Sequence, residues 1–323
     1  MIKRPYIITV RISALLLLIS VTFLIFLGFK EQTDYSVTIG NISSSQTTEQ
    51  TTDCVTATEP SSQKTDCSFE AACFYCVETK ELLFSYNTEE RIAPASLTKI
   101  LTASVACHYI TEDTVFVVGS ELSLLKPHSS LCLIKKGHRL ALKDLLTGLL
   151  ISSGNDAAYT VAVNVARSLS KEKLSDSEAV THFCTLMNSF SQSLGMENSN
   201  FKNPDGWDDP QQYTTISDLL KLTQYALTVS TIKEIISFSE KHVIFKSGEN
   251  ITWKNTNQLL NLSGKHYNKY AIGMKTGTTK NAGNCLIAVF RKNELTYIAI
   301  VCGAETSDSR YEAANRLFET YSK

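Results

Sequence analysis

The amino-acid sequence predicts an α/β (α+β) fold, in which one antiparallel sheet is flanked by helices and accompanied by a helical lobe. Two observations predict it. Strand-like segments occur in pairs at both ends of the region from about residue 66 onward, and the segments between the pairs have the apolar spacing of helices. Strands at both ends with helices between them indicate one sheet that the two ends of the domain complete.

Both strand pairs have the character of β-hairpins, because each consists of two runs rich in β-branched and aromatic residues around a polar turn. The four runs are residues 72–77, 82–86, 285–290 and 296–301. The second pair is apolar on both faces, which predicts a central place in a covered sheet. Residues 271–279 precede that pair and are expected to form a strand that borders a cleft.

Five further segments have helical periodicity. They are residues 142–151, 157–169, 180–194, 216–227 and 309–321. In the last segment Tyr311, Ala314 and Phe318 fall on one apolar stripe, which predicts an amphipathic helix at the end of the chain.

An apolar run near the N-terminus predicts a membrane anchor. Residues 12–29 contain no charged side chain and are long enough to cross the core of a bilayer. Lys3, Arg4 and Arg11 precede the run and Lys30 follows it, a bias that keeps the N-terminus in the cytoplasm. A cleaved signal peptide is the alternative, although the run is long for one and no small-residue cleavage site follows it.

Composition divides the chain into three expected parts. Residues 1–30 form a cytoplasmic stub and a transmembrane signal-anchor. Residues 31–65 are rich in Ser and Thr and carry too little apolar surface to become ordered, which predicts a disordered linker. Residues 66–323 form the catalytic domain, which the charge bias places on the outer side of the cell membrane in a single-pass protein.

The charge and the histidine content exclude two classes of partner. The formal net charge is −1, and Lys and Arg form no cluster beyond short pairs. A nucleic-acid partner would need a basic stripe that releases counterions. The six histidines lack the spacing of metal ligands. The sequence therefore predicts no nucleic-acid partner, no metal and no other cofactor.

The cysteine content is unusual for an exported protein. The chain has nine cysteines, an odd number that cannot pair completely within one molecule. Cys73 and Cys76 have the spacing of a redox or zinc motif, but residues three apart in a strand point to opposite faces. We expect instead a disulfide among Cys54, Cys67, Cys73 and Cys76, and a buried thiol at Cys107 in an apolar helical run.

The first of three short motifs is Ser96-Leu97-Thr98-Lys99. Helical periodicity puts Ser96 and Lys99 one turn apart on the same face, so the amine can reach the hydroxyl. The helix that follows is apolar nearly all round, which predicts burial, and burial lowers the pKa of a lysine. A neutral Lys99 can take the proton of Ser96 and activate it as a nucleophile without a histidine.

The second motif, Ser153-Gly154-Asn155, lies between two predicted helices, where a loop presents its side chains to a cleft. The Ser153 hydroxyl can relay a proton to a leaving amine. The Asn155 amide can hold a substrate carbonyl while it contacts Lys99. Each motif alone fits an ordinary helix start or turn, and it is the joint occurrence of the motifs that indicates acyl transfer.

The third motif, Lys275-Thr276-Gly277-Thr278, falls on the strand expected at residues 271–279. A cation and two hydroxyl groups suit a substrate carboxylate, and Gly277 lets a ligand approach the backbone closely. The N–H groups of Thr278 and Ser96 are candidate donors of an oxyanion hole.

The three motifs and their surroundings resemble those of low-molecular-mass penicillin-binding proteins that are serine D-alanyl-D-alanine carboxypeptidases. The similar surroundings are residues 93–102, 145–157 and 195–206, within a resemblance that covers about residues 68–323. The resemblance implies a β-lactamase/transpeptidase-like fold and a peptidoglycan stem peptide ending in D-Ala-D-Ala as substrate. It also implies β-lactams as covalent inhibitors.

The same resemblance implies a role for each motif residue. The roles are acylated nucleophile for Ser96, general base for Lys99, relay and substrate clamp for Ser153 and Asn155, and carboxylate anchor for Lys275 and Thr276. Two departures stand out. Thr278 occupies a position where the family commonly has His or Tyr. Many members also carry a β-rich domain and a C-terminal membrane anchor, and here we expect the N-terminal apolar run to serve as the anchor.

Two other functions fit parts of the pattern. A class A β-lactamase shares the first and third motifs, but it typically has Asp where Gly154 stands and it uses a deacylating carboxylate. The nearby candidate for that carboxylate, Glu197, falls in a segment that matches the carboxypeptidase pattern instead. A non-catalytic, membrane-tethered sensor of β-lactams or peptidoglycan usually has several membrane segments and a cytoplasmic effector.

Overall fold

The computed structural model describes residues 68–323. The predicted anchor at residues 12–29 and the predicted linker at residues 31–65 lie outside the described residues. Between residues 68 and 323, no helix combines the length and the apolar character that a membrane span requires.

The described chain has strands at both ends and helices between them. The strands are β1 (Ala71–Cys76), β2 (Glu81–Tyr86), β3 (Val115–Val117), β4 (Arg139–Ala141), β5 (Glu240–Ile244), β6 (Asn250–Lys254), β7 (Ala271–Thr279), β8 (Gly283–Lys292) and β9 (Leu295–Ala304). The α-helices are α1 (Thr98–Tyr109), α2 (Leu142–Leu150), α3 (Asn155–Leu169), α4 (Asp176–Ser193), α5 (Ile216–Thr228), α6 (Ser230–Ile236) and α7 (Ser307–Tyr321).

The main sheet has five antiparallel strands in the order β2-β1-β9-β8-β7. Pairing of β1 with β9 joins the hairpin at the start of the described chain to the hairpin at its end. The predicted single sheet is therefore confirmed, and so is the central place of β8 and β9. Strand β7 lies at one edge of the sheet, next to the 3₁₀ turn Ala95–Leu97.

Both faces of the sheet are covered, because side chains along a strand point alternately to its two faces. Ile287 and Ile300 face a large apolar cluster shared with the helical lobe. Leu286 and Tyr297 face a second cluster under α7, in which Phe318 also packs. Strands that are apolar at nearly every position are stable only when each face has a partner.

Helix α1 lies in the middle of the helical lobe and packs against α2, α3, α4 and α5. Its residues from Thr98 to Ala106 are all buried. A helix that is surrounded in this way needs apolar residues on every side, which explains why the sequence after Lys99 shows no polar stripe. The lobe therefore holds the first motif in a fixed and water-poor environment.

Several elements differ from the sequence prediction. Helix α4 begins before residue 180, because Ser175 caps it: Ser175 Oγ accepts from the Glu178 N–H, and the Glu178 carboxylate accepts from the Ser175 N–H. Helix α6 and the two-stranded sheets β3–β4 and β5–β6 were not predicted. These elements are short, and short segments carry little periodic signal.

The prediction of a disulfide among Cys54, Cys67, Cys73 and Cys76 is wrong for Cys73 and Cys76. Both thiols are free and buried. Cys73 packs in the cluster shared with the lobe and Cys76 in the cluster under α7, so the two side chains point to the opposite faces that strand geometry requires. Cys54 and Cys67 lie outside the described residues. Cys107 is free and partly buried.

Candidate active site

The first motif lies where the 3₁₀ turn Ala95–Leu97 runs into α1. Lys99 Nζ donates a hydrogen bond to Ser96 Oγ at 2.9 Å. It donates a second one, at 2.6 Å, to the main-chain carbonyl of Asp205. The amine and the hydroxyl are therefore in direct contact, as the helical spacing predicts, and the loop around Asp205 closes over them.

Lys99 is completely buried. Burial lowers the pKa of its amine to about 8, and the negative charges of Asp205 and Asp156 oppose part of that shift. At pH 7 roughly one amine in ten is then neutral, compared with roughly one in two thousand for a free lysine. The environment of Lys99 thus supplies a base that ordinary lysine does not.

The second motif lies between α2 and α3. Ser153 Oγ accepts a hydrogen bond from Lys275 Nζ at 2.9 Å, which joins the second motif to the third. Asn155 is the first residue of α3 and lines the same cavity as Ser96. The clamp candidate Asn155 therefore shares a cavity with Ser96, and the relay candidate Ser153 is held by the lysine of the third motif.

Asp156 fixes the loop that supports the second motif. Its carboxylate accepts hydrogen bonds from the main-chain N–H groups of Cys132 at 2.9 Å and Ile134 at 3.1 Å. The Asn155 N–H donates to the Ser130 carbonyl at 2.8 Å. Charge-assisted bonds of this kind are about twice as strong as neutral ones, so the start of α3 has a defined position.

The third motif occupies the edge strand β7. A Cβ added at Gly277 would lie 3.0 Å from Ser96 N, so the strand passes directly beside the nucleophile. Thr276 Oγ1 lies 2.6 Å from Thr256 Oγ1, whereas Thr278 is exposed to the cavity. The Thr278 hydroxyl donates a hydrogen bond to Asn284 Oδ1 at 3.2 Å.

Two expected contacts differ in the structure. The predicted contact between Lys99 and Asn155 is not formed, because the Lys99 amine points to Ser96 and to the Asp205 carbonyl. The Lys275 side chain lies deeper than expected, and its amine donates to Ser153 Oγ and to the Thr276 carbonyl. Its side chain is completely buried, and burial, with the charges of Lys99 and Arg310, lowers its pKa well below that of free lysine.

Arg310 is a site residue that the sequence analysis missed. Its Nη1 donates to Thr278 Oγ1 at 3.0 Å and to the Gly277 carbonyl at 3.2 Å. Its Nη2 donates to Tyr311 Oη at 3.3 Å, and Tyr311 Oη donates to the Thr256 carbonyl at 2.9 Å. A guanidinium remains charged at any working pH, so α7 supplies a permanent positive charge behind Thr278.

The loop of residues 203–207 forms the opposite wall. Asn203 Oδ1 accepts from the Gly206 N–H at 2.8 Å, and the Pro204 carbonyl accepts from Thr102 Oγ1 at 2.7 Å. These contacts tie the loop to α1 beside the nucleophile. Together with the three motifs, the loop encloses a cavity of about 380 Å³ that is lined by Ser96, His128, Asn155, Asp205, Trp207 and Thr278.

The three motifs therefore form one connected site. Residues 56–306 match the model of the peptidase S11 family, described as D-alanyl-D-alanine carboxypeptidase. The chain belongs to this family.

Individual relatives agree with this assignment. The chain is 32% identical to the D-alanyl-D-alanine carboxypeptidase DacC of Escherichia coli, with 73% of this chain and 57% of DacC covered. It is 28% identical to DacF of Bacillus subtilis, with 75% of this chain and 59% of DacF covered. The chain thus spans less than two thirds of the length of these relatives. The crystal structure of the Streptomyces K15 DD-transpeptidase superposes with a TM-score of 0.72 at 26% identity, with 80% of this chain and 98% of that chain covered.

The close approach of the 203–207 loop to Ser96 depends on Gly206. Its φ is +86°, and an added Cβ would lie 1.8 Å from the Ala95 carbonyl oxygen. We expect Gly206→Ala to push the loop away and to lower the rate of Ser96 acylation by about 100-fold, the cost of a misplacement of about 1 Å. The measurement is the labelling rate with a fluorescent penicillin.

Gly248→Ala is the matched control. Gly248 also has a positive φ, +105°, but an added Cβ there meets nothing within 4 Å. It should cost about 1–3 kcal/mol of stability and leave the labelling rate unchanged. Equal labelling rates for Gly206→Ala and Gly248→Ala would contradict the role of the close approach.

Proposed function

We propose that this protein is a serine-type D-Ala-D-Ala carboxypeptidase that removes the terminal D-alanine from peptidoglycan stem peptides through a Ser96 acyl-enzyme. The observation that carries the proposal is the pair of 2.9 Å contacts, Lys99 Nζ to Ser96 Oγ and Lys275 Nζ to Ser153 Oγ. They lie within three motifs that each contribute a residue, Ser96, Asn155 and Thr278, to one cavity. The family membership supports the same reaction.

Acylation begins at the buried amine. Neutral Lys99 takes the Ser96 proton, and Oγ attacks the carbonyl carbon between the last two D-alanines. The negative charge that develops on the carbonyl oxygen is stabilised by the N–H groups of Ser96 and Thr278, each worth about 3–4 kcal/mol in such sites. The C–N bond then breaks, and Ser153 passes its proton to the amine of the departing D-alanine. The proton that Lys99 took from Ser96 replaces it, so both Lys99 and Ser153 return to their initial protonation states.

The substrate carboxylate is recognised at Thr278 and Arg310. Thr278 is exposed to the cavity and already accepts a hydrogen bond from Arg310 Nη1 at 3.0 Å. The guanidinium charge is permanent. An incoming carboxylate also favours the ammonium form of the buried Lys275, because an opposite charge nearby raises a lysine pKa. Lys275 then acts mainly through Ser153.

A β-lactam presents the same two features, a carbonyl carbon to attack and a nearby carboxylate. Its ring opens on attack without loss of a leaving group, so a stable ester on Ser96 is the expected product. This supports covalent inhibition by penicillins at the proposed site.

We also propose that the catalytic domain lies outside the cytoplasm, held at the cell membrane by the N-terminal segment. The apolar run at residues 12–29 and the positive charges that precede it support this arrangement. The substrate supports it as well, because peptidoglycan is assembled on that side of the membrane.

The first test is D-alanine release by the full chain from a stem peptide ending in D-Ala-D-Ala, together with labelling by a fluorescent penicillin. Ser96→Ala should lower release at least about 10⁴-fold, as removal of a nucleophile does in other serine enzymes, and should abolish labelling. Ser168→Ala, an exposed serine on α3, should retain both activities.

Each other result has a definite meaning. Labelling that persists in Ser96→Ala would reject Ser96 as the nucleophile. Labelling of the wild type without D-alanine release would favour the non-catalytic sensor. Opening of penicillin faster than D-alanine release would favour a β-lactamase.

A second test concerns the carboxylate. Amidation of the terminal carboxylate should slow acylation of the wild type by about 10–100-fold, the equivalent of one charge-assisted hydrogen bond of about 1.5–3 kcal/mol. Arg310→Gln should remove most of that preference for the free acid, and Arg310→Lys should keep part of it. The measurement is the acylation rate with the acid and the amide.

Arg291→Gln is the control, because Arg291 pairs with Glu294 on the surface and should leave the acid preference intact. Thermal unfolding of each variant checks that the fold persists. An undiminished preference for the acid in Arg310→Gln would mean that the carboxylate binds elsewhere.

A further inference from the structure

The loop of residues 203–207 is held by a buried side chain that follows it in the sequence, Gln212. This side chain is 5% exposed. The surrounding segment is closed at its base, because the main chains of Asn200 and Tyr213 exchange two hydrogen bonds, of 2.9 and 3.1 Å. Gln212 lies just inside this base, and its amide contacts the chain within the closed segment.

The Gln212 amide makes four hydrogen bonds, which use both lone pairs of its oxygen and both protons of its nitrogen. Oε1 accepts from the N–H groups of Lys202 at 2.9 Å and Asn203 at 3.1 Å. Nε2 donates to Asn203 Oδ1 at 3.2 Å and to the Trp207 carbonyl at 3.2 Å. One side chain thus joins the start of the loop to its end. All four bonds require an amide, since the oxygen faces only donors and the nitrogen faces only acceptors.

Asn203 extends this restraint to the part of the loop that lies beside the nucleophile. Asn203 Oδ1 also accepts from the Gly206 N–H at 2.8 Å, and Asn203 Nδ2 donates to the Trp207 carbonyl at 2.9 Å. A Cβ at Gly206 would lie 2.9 Å from Ser96 N, so the loop packs on the backbone of the nucleophile. The two amides, of Gln212 and Asn203, therefore fix the loop at the place where it meets Ser96.

The same loop holds the base through main-chain atoms. The Asp205 carbonyl accepts from Lys99 Nζ at 2.6 Å, and the Pro204 carbonyl accepts from Thr102 Oγ1 at 2.7 Å. Main-chain oxygens move only with the loop itself. A shift of the loop away from α1 would therefore remove one of the two hydrogen-bond partners that hold the Lys99 amine at Ser96 Oγ.

We propose that Gln212 is a positioning residue for the acylation of Ser96, which deepens the proposed function and rests on its Ser96 acyl-enzyme. Its four hydrogen bonds keep the loop of residues 203–207 against α1, and the loop keeps the Lys99 amine at Ser96 Oγ. Between residues 68 and 323, the hydrogen bonds of the Gln212 side chain go to this loop and to the adjoining Lys202. Gln212 therefore acts on the reaction through the loop.

Two variants of the full chain test the proposal with a fluorescent penicillin. Gln212→Leu removes all four hydrogen bonds. Gln212→Glu keeps the size of the side chain but directs a carboxylate oxygen at two acceptors. Each variant should lower the acylation rate constant at saturating penicillin by about 10–100-fold, because a misplacement of about 1 Å can cost about 100-fold. The penicillin concentration for half-saturation should stay within about threefold of the wild-type value, since Gln212 does not line the cavity.

Gln211→Leu is the matched control. Gln211 is the preceding residue and is exposed, so loss of its amide should leave the rate constant and the half-saturating concentration unchanged. Thermal unfolding of each variant shows whether it is folded at the temperature of the assay.

A double variant separates positioning from a general loss of stability. Gly206→Ala is expected to displace the same loop, so its effect and that of Gln212→Leu should overlap. Adding Gln212→Leu to Gly206→Ala should lower the acylation rate by less than about threefold more, because changes that act through one shared element are not additive. A general loss of stability would instead multiply the two effects.

Several outcomes would overturn the proposal. These are a wild-type acylation rate in Gln212→Glu, an equal loss in Gln211→Leu, or multiplied losses in the double variant. Absence of labelling at Ser96 in the wild type would overturn the proposed function itself, so the two failures are distinguishable.

Discussion

Two hydrogen bonds hold the Lys99 amine, one to Ser96 Oγ and one to the main-chain carbonyl of Asp205. Neither partner carries a negative charge at the contacting atom, and no water reaches the fully buried side chain. Burial therefore destabilises the ammonium more than the nearby charges of Asp205 and Asp156 stabilise it, and the pKa of Lys99 falls to about 8. The surrounding architecture keeps the amine in that state. Helix α1 is enclosed by the lobe, and the loop of residues 203–207 closes the remaining side.

A second lysine in the site also has a lowered pKa. Lys275 is fully buried, and the charge of Lys99 is among the causes that lower its pKa. A positive charge nearby disfavours the ammonium form of a lysine. In the proposed function, the substrate carboxylate offsets that charge at Lys275. The free energy gained by binding the substrate carboxylate can then align the scissile carbonyl with Ser96, and this alignment accelerates acylation.

The parts of this arrangement that a single sequence predicts are those with local signals. The Ser96–Lys99 contact follows from helical spacing, and the strands around β8 and β9 follow from their apolar runs. Arg310 has no such signal, because it lies on α7, far from Thr278 in the sequence, and only the folded structure brings the two side chains into contact. The interior position of the Lys275 amine was also missed, since a motif does not reveal which neighbour fills the space around a side chain. The free thiols of Cys73 and Cys76 correct an inference from cysteine content alone.

The central claim is that folding lowers the pKa of Lys99, so that an appreciable fraction of its amine is a neutral base, and direct titration of its side chain tests that claim without reference to any reaction. The full chain is labelled with ¹³Cε-lysine, and the Lys99 signal is assigned by its absence in Lys99→Arg. The ¹³Cε chemical shift followed from pH 6 to 11 should report a pKa of about 8. A Lys99 signal that titrates near the free-lysine value of about 10.4 would contradict the account.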